Sequence, residues 1–118
     1  MILPKVKPLR HLEKTVIKRM LFWGRIRADR IEEYKESHRH VWPELEACYR
    51  ANGITKVSCF LHDNDLLVYT EYDPDIYLKG GKERISQNEV AKRWDKWMLD
   101  FRQEGFQSVE FQEVYRME

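Results

Sequence analysis

DRIEEYKESHRHVWPELEACYRAN, residues 29–52, is the stretch whose reading decides the fold. Asp29 can cap a helix, with Glu32 three residues on as its capping-box partner. Ile31, Tyr34 and His38 follow at spacings of three and four, which puts their side chains on one helical face. Pro43 disfavours helical geometry at Trp42, so the first helix should end near His40 or Val41. Pro43 is then well placed as the first residue of a second helix, closed by Gly53. The expected product is two short helices meeting at a bend that carries a tryptophan, with a tyrosine and a histidine one turn apart just before it.

Working outward, Val16 to Arg27 is rich in β-formers, with Met20, Phe22 and Ile26 on one side and Leu21 and Trp23 on the other. Gly24 within it marks a bulge or a close approach of backbone. Beyond the helix pair, Ile54 to Leu61 reads as a strand with Val57, Cys59 and Leu61 on one face. His62 to Asp65 is a polar turn, and Leu66 to Tyr72 returns as the partner of an antiparallel hairpin. Asp73 to Glu89 contains Pro74 and Gly80-Gly81, and is expected to be a short helix plus a mobile loop. Val90, Trp94, Trp97, Met98 and Phe101 form a helical stripe that Gly105 ends, and Val109 to Tyr115 is the last strand.

The order strand, helix pair, strand, strand, helix, strand is that of an α+β, ferredoxin-like βαββαβ domain, here residues 16–118 after an N-terminal arm of residues 1–15. Helices cover one face of such a sheet. Yet the strands carry bulky residues on both sides, as in Phe22 and Trp23, Phe60 and Leu61, Leu67 and Val68. Pairing of two sheets in a homodimer would bury the second face.

Composition narrows the function. A chain of 118 residues with 42% hydrophobic and 35% charged residues can build one core, and its net charge of +1 offers no electrostatic case for nucleic acid or an anionic membrane. No apolar run approaches the roughly 20 residues a membrane helix needs, and the basic first fifteen residues lack the apolar centre of a signal peptide. The default expectation is a cytoplasmic protein. Cys48 and Cys59 read as buried thiols, without disulfide or metal spacing. His38 and His40 are two apart, so on a helix they diverge and cannot chelate one ion.

Tyr34-x-x-x-His38 followed by Trp42-Pro43-Glu44-Leu45-Glu46, with Arg93-Trp94 and Met98 further on and Glu113-Val114-Tyr115 near the end, resembles the L-rhamnose mutarotase family. The resemblance runs from about Arg19 to Met117. It implies a dimeric α+β barrel, a small-molecule sugar as substrate, and no cofactor. It assigns His38 as proton donor and places Tyr34, Val57, Trp94 and Asp95 at the sugar. Where the family commonly carries two adjacent tryptophans this chain has Trp94-Asp95, and where it places a tyrosine on the second strand this chain has Val57. The preferred sugar is therefore expected to be L-rhamnose, L-fucose or a related aldose, and the residues around Lys79 to Glu83 are expected to alter a loop that lines the pocket.

The chemistry suits these residue types. Opening a cyclic sugar moves a proton off the anomeric hydroxyl and another onto the ring oxygen. General acid–base groups worth roughly 10²–10⁴-fold suffice without metal. Histidine, with an ordinary pKa of about 6.5, gives and takes protons near neutrality. Tyr34 can hold a sugar oxygen, and Trp94 is open between a sugar-stacking ring and plain core. Other functions of the same barrel remain as alternatives: a cofactor-free oxygenase, a haem-handling protein or a non-catalytic sugar-binding dimer.

Overall fold

The computed structural model describes residues 16–118; the expected N-terminal arm, residues 1–15, lies outside them. Strand β1 (Lys18–Arg25) leads through a 3-10 turn (Ala28–Arg30) into helices α1 (Ile31–Arg39) and α2 (Pro43–Ala51). Strands β2 (Ile54–His62) and β3 (Asp65–Tyr72) form a hairpin, helices α3 (Lys82–Gln87) and α4 (Glu89–Phe101) follow, and β4 (Val109–Phe111) closes the chain of elements. The four strands lie in the order β2-β3-β1-β4, all neighbours antiparallel, which is the ferredoxin-like arrangement.

The bend falls where Pro43 places it: α1 stops at Arg39, Trp42 is extended, and Pro43 opens α2. The start of α1 differs from expectation. The chain enters it from the 3-10 turn with Arg30 at the cap position and no side-chain cap, while Asp29 instead faces Arg27 at 3.7 Å. Acidic Glu32 and Glu33 in the first turn still offset the positive end of the helix. At the far end of α2, Gly53 takes a φ of +97°, a left-handed conformation, and its amide bonds the carbonyl of Arg50.

The pleat divides the sheet into two faces. Phe22, Val68 and Leu66 share the face under the helices, where Ile26, Leu45, Leu66 and Phe101 are fully buried in one cluster with Tyr34, Ala91, Trp94 and Met98. Trp23, Leu67 and Phe60 share the other face, on which Phe60 is 57% exposed and Phe111 44%. Trp42 fills the bend by stacking on Trp97, with ring centres 5.9 Å apart.

Three expectations are corrected. The hairpin turn is tighter than four residues: pairing persists to His62↔Asp65, and Asp63 adopts a φ of +53°. The segment after β3 holds the expected short helix, capped by Asp73 through the amide of Asp75, but in place of a long loop only a kink at Lys79 and Gly80 separates it from α3. The last strand is shorter than expected. Beyond Phe111 the chain still follows β1, but side chains replace backbone rungs: Arg19 grips Glu113, and Arg116 donates to the Ile17 carbonyl.

Gly81 shows why the segment after β3 is so restricted. A Cβ there would collide with the Asn52 carbonyl and lie 2.8 Å from that of Ile76, both backbone atoms. Gly81→Ala is therefore expected to cost about 1–3 kcal/mol of stability, read as a lowered urea midpoint; an unchanged midpoint would mean this packing is looser than described.

Candidate active site

Tyr34 and His38 leave α1 one above the other, their ring centres 4.3 Å apart. Ser37 sits between them in sequence and settles the imidazole. Its hydroxyl donates to the Tyr34 carbonyl at 2.6 Å, which leaves a lone pair facing His38 Nδ1 at 2.9 Å. Nδ1 also lies 3.1 Å from the Tyr34 carbonyl. Both neighbours are then acceptors, so the proton of the neutral ring belongs on Nδ1. The opposite nitrogen, Nε2, meets no partner among the described residues and is not sealed from solvent.

His38 lines a cavity of about 680 Å³, between the sheet and the helices α1, α2 and α4. This is large enough for a monosaccharide and its water. All five residues singled out in the sequence line it: Tyr34 and His38 from α1, Val57 from β2, Trp94 and Asp95 from α4. Trp94 is only 6% exposed, held edge-on by His38 at 5.4 Å, Trp42 at 5.1 Å and Trp97 at 5.5 Å. Its ring therefore backs the imidazole more than it faces the opening. Val57, 43% exposed, presents a short apolar branch to the cavity.

Burial sets the proton chemistry. Desolvation pulls the His38 imidazole below its ordinary value, partly offset by the bond to the Tyr34 carbonyl. Near neutrality the ring is uncharged, with a free lone pair. Burial pushes the Tyr34 phenol up, so it remains a donor, with the Cys59 thiol beside it. The Asp95 carboxyl is raised by desolvation, partly offset by Arg102. One acceptor, one fixed donor and one carboxyl of raised affinity thus share a cavity.

Sequence reading missed several lining residues. Tyr49 lies one turn beyond buried Leu45 on α2, a spacing that could have flagged it. Arg102 lies just past the end of α4, where periodicity gives no signal. Cys59 is exposed rather than buried and lines the cavity, where desolvation raises its thiol and the hydrogen bond with Tyr34 partly offsets that rise. The residues Lys79 to Glu83 do not line the cavity; Gly81 instead packs on the end of α2. His40 turns out to solvent beside Glu36 at 3.2 Å, away from His38. Among the described residues no group of three or more His, Cys, Asp or Glu side chains is placed to hold a metal ion.

Fold and site together define a small α+β protein with a monosaccharide-sized cavity whose wall includes an imidazole. The chain belongs to the L-rhamnose mutarotase family, whose model matches residues 19–118. An L-rhamnose mutarotase of Klebsiella pneumoniae is 32% identical over 82 residues, covering 70% of this chain and 77% of that one. The crystal structure of an L-rhamnose mutarotase from Formosa agariphila superimposes with a TM-score of 0.68 at 27% identity, covering 86% of this chain and 99% of its own. A putative antibiotic biosynthesis monooxygenase from Nitrosomonas europaea matches with a TM-score of 0.58 at 16% identity, over 86% of this chain and 94% of that one. That last likeness is one of fold.

The depressed His38 value carries a stability consequence. Between the folded value and the ordinary 6.5, the unfolded chain binds more protons than the folded one. Stability contributed by neutral His38 is therefore complete above about 6.5 and is lost as pH falls below it. Urea titrations at pH 7 and pH 5 should show a larger loss in the wild type than in His38→Asn, and equal losses would contradict the burial argument.

Proposed function

We propose that the protein is an aldose mutarotase, an isomerase that interconverts the α and β anomers of a deoxyhexose such as L-rhamnose by general acid–base ring opening and closure. The observation that carries this reading is His38, its Nδ1 tied to the Tyr34 carbonyl and its Nε2 without a partner among the described residues, lining a cavity in a member of this family. The names of the Klebsiella and Formosa relatives support it.

In this mechanism His38 Nε2 takes the proton of the anomeric hydroxyl as the C1–O5 bond breaks and C1=O1 forms. The imidazolium returns that proton to O5, acting as the proton donor. Tyr34, kept protonated by burial, donates a hydrogen bond to a sugar oxygen and steadies the ring. Rotation about C1–C2 and closure on the other face reverse the transfers. No net charge, metal or redox equivalent is needed. Trp94 buttresses the imidazole, while Asp95 and Val57 touch the sugar and set which aldose is preferred.

The protein acts as a homodimer through the sheet face that the helices leave open. Phe60 and Phe111 are exposed there with Val109, beside Trp23 and Leu67. No helix among the described residues is long and apolar enough to cross a membrane.

Replacing His38 by Ala should slow anomer exchange by about 10²–10⁴-fold, followed by saturation-difference NMR, while sugar affinity stays within about tenfold. Exchange at the wild-type rate would refute the assignment of the proton donor. In the same assay, a panel of L-rhamnose, L-fucose and related aldoses ranks the preference, and a shift away from L-rhamnose is expected with Asp95 and Val57 in place. Sedimentation should give a dimer for the wild type and a monomer for Phe60→Glu; a wild-type monomer would remove the sheet-face interface.

A further inference from the structure

Arg102 is a cation in the cavity wall whose best hydrogen-bonding edge is unused. Its backbone is pinned: Ile26 and Arg102 form an isolated antiparallel bridge, Arg27 N donates to the Phe101 carbonyl at 2.8 Å, and Gln103 N to that of Arg25 at 2.9 Å. Gly24 makes room for the guanidinium, since a Cβ there would lie 3.1 Å from Nη1. Nη1 donates to Ser108 Oγ at 3.3 Å. Nε is buried without a partner, and Nη2 has none among the described residues.

Elsewhere in this chain that same edge grips oxygen pairs. Arg19 uses Nε and Nη2 on the two oxygens of Glu113 at 3.0 and 3.3 Å. Arg30 does so on Glu33 at 2.8 and 3.2 Å. Arg102 lines the cavity while Nε of the equivalent fork is covered and has no acceptor, and a buried donor without an acceptor is costly unless a ligand supplies one.

We propose that Arg102 joins Asp95 and Val57 in selecting the sugar, its guanidinium turning on binding so that the Nε/Nη2 edge donates to a pair of adjacent hydroxyl oxygens remote from the anomeric carbon, with Asp95 accepting from a further hydroxyl. This deepens the mutarotase reading and rests on it. Two observations assign the neutral hydroxyl pair rather than a carboxylate. Asp95, Met98 and Arg102 follow at spacings of three and four and line the same cavity, so donor and acceptor flank an apolar thioether. A hydroxyl both accepts and donates, matching that donor–acceptor combination; a carboxylate would meet Asp95 with like charge and nothing to give it. Remoteness from C1 follows from reach. Trp94 is the α4 residue packed against His38, and Arg102 follows it by eight residues, about 12 Å further along the helix axis.

The test compares wild type with Arg102→Met and Arg102→Lys, using tryptophan fluorescence for binding and NMR for exchange, with L-rhamnose, L-fucose and D-galacturonate as probes. For the better-bound neutral sugar, Arg102→Met should weaken binding by about 10- to 100-fold, with the kinetic loss falling on KM rather than kcat. Arg102→Lys keeps the charge but not the fork, so it should recover only a small part of that loss. A Kd within about twofold of wild type in Arg102→Met overturns the proposal. So does full rescue by lysine, or tighter Arg102-dependent binding of the uronate than of either neutral sugar. Should wild type bind a neutral sugar through Arg102 yet exchange none, the mutarotase reading fails while the sugar-selecting role stands. Should Arg102→Met not fold by circular dichroism, Arg102→Lys alone decides: affinity equal to wild type overturns the fork.

Discussion

The hydrogen bond between His38 Nδ1 and the carbonyl of Tyr34, one turn back, is the interaction on which the site depends. The Nδ1 proton shares that carbonyl with the Ser37 hydroxyl, and the Ser37 oxygen offers it a second acceptor. This hydrogen bond decides which nitrogen carries the proton and fixes the ring against rotation. Ser37, buried beside it, spends its own hydrogen on the same carbonyl and so can only accept from the imidazole. Tyr34, Ser37 and His38 on one helical turn therefore give a generic histidine a fixed tautomer in the wall of a cavity. Trp94 meets the imidazole edge-on, and Trp42 and Trp97 pack in turn against Trp94.

That arrangement requires α1 to end where it does. A helix continuing through Trp42 would carry α2 away from the sheet; the break at Pro43 folds it back so that Leu45 reaches the core and Tyr49 the cavity. The bend, the aromatic wall and the imidazole are thus one construction. The likeness to a putative monooxygenase at 16% identity shows how far the same scaffold extends without these residues having to follow it.

Much of this was legible in the residues. Spacing of three and four put Tyr34 and His38 on one face, and proline chemistry located the bend; both depend on local geometry alone. The five positions taken from the family pattern also came to one cavity. What was not legible depended on partners distant in sequence. Asp73 to Glu89 read as a short helix plus a mobile loop because its glycines conceal how tightly Gly81 packs on Asn52. Val109 to Tyr115 has strand composition throughout, yet its ladder ends at Phe111, where arginine–carboxylate contacts take over from backbone rungs. Arg102 gave no signal because its role comes from a missing partner, which only three-dimensional structure reveals.

The tautomer of His38 is the most direct point of measurement. Nitrogen-15 NMR of the imidazole at neutral pH should show a protonated Nδ1 and an unprotonated Nε2, with Nε2 shifting when an aldose is added. A ring protonated on Nε2, or a lone pair at Nε2 that does not respond to any sugar, would contradict the account of how this cavity moves protons.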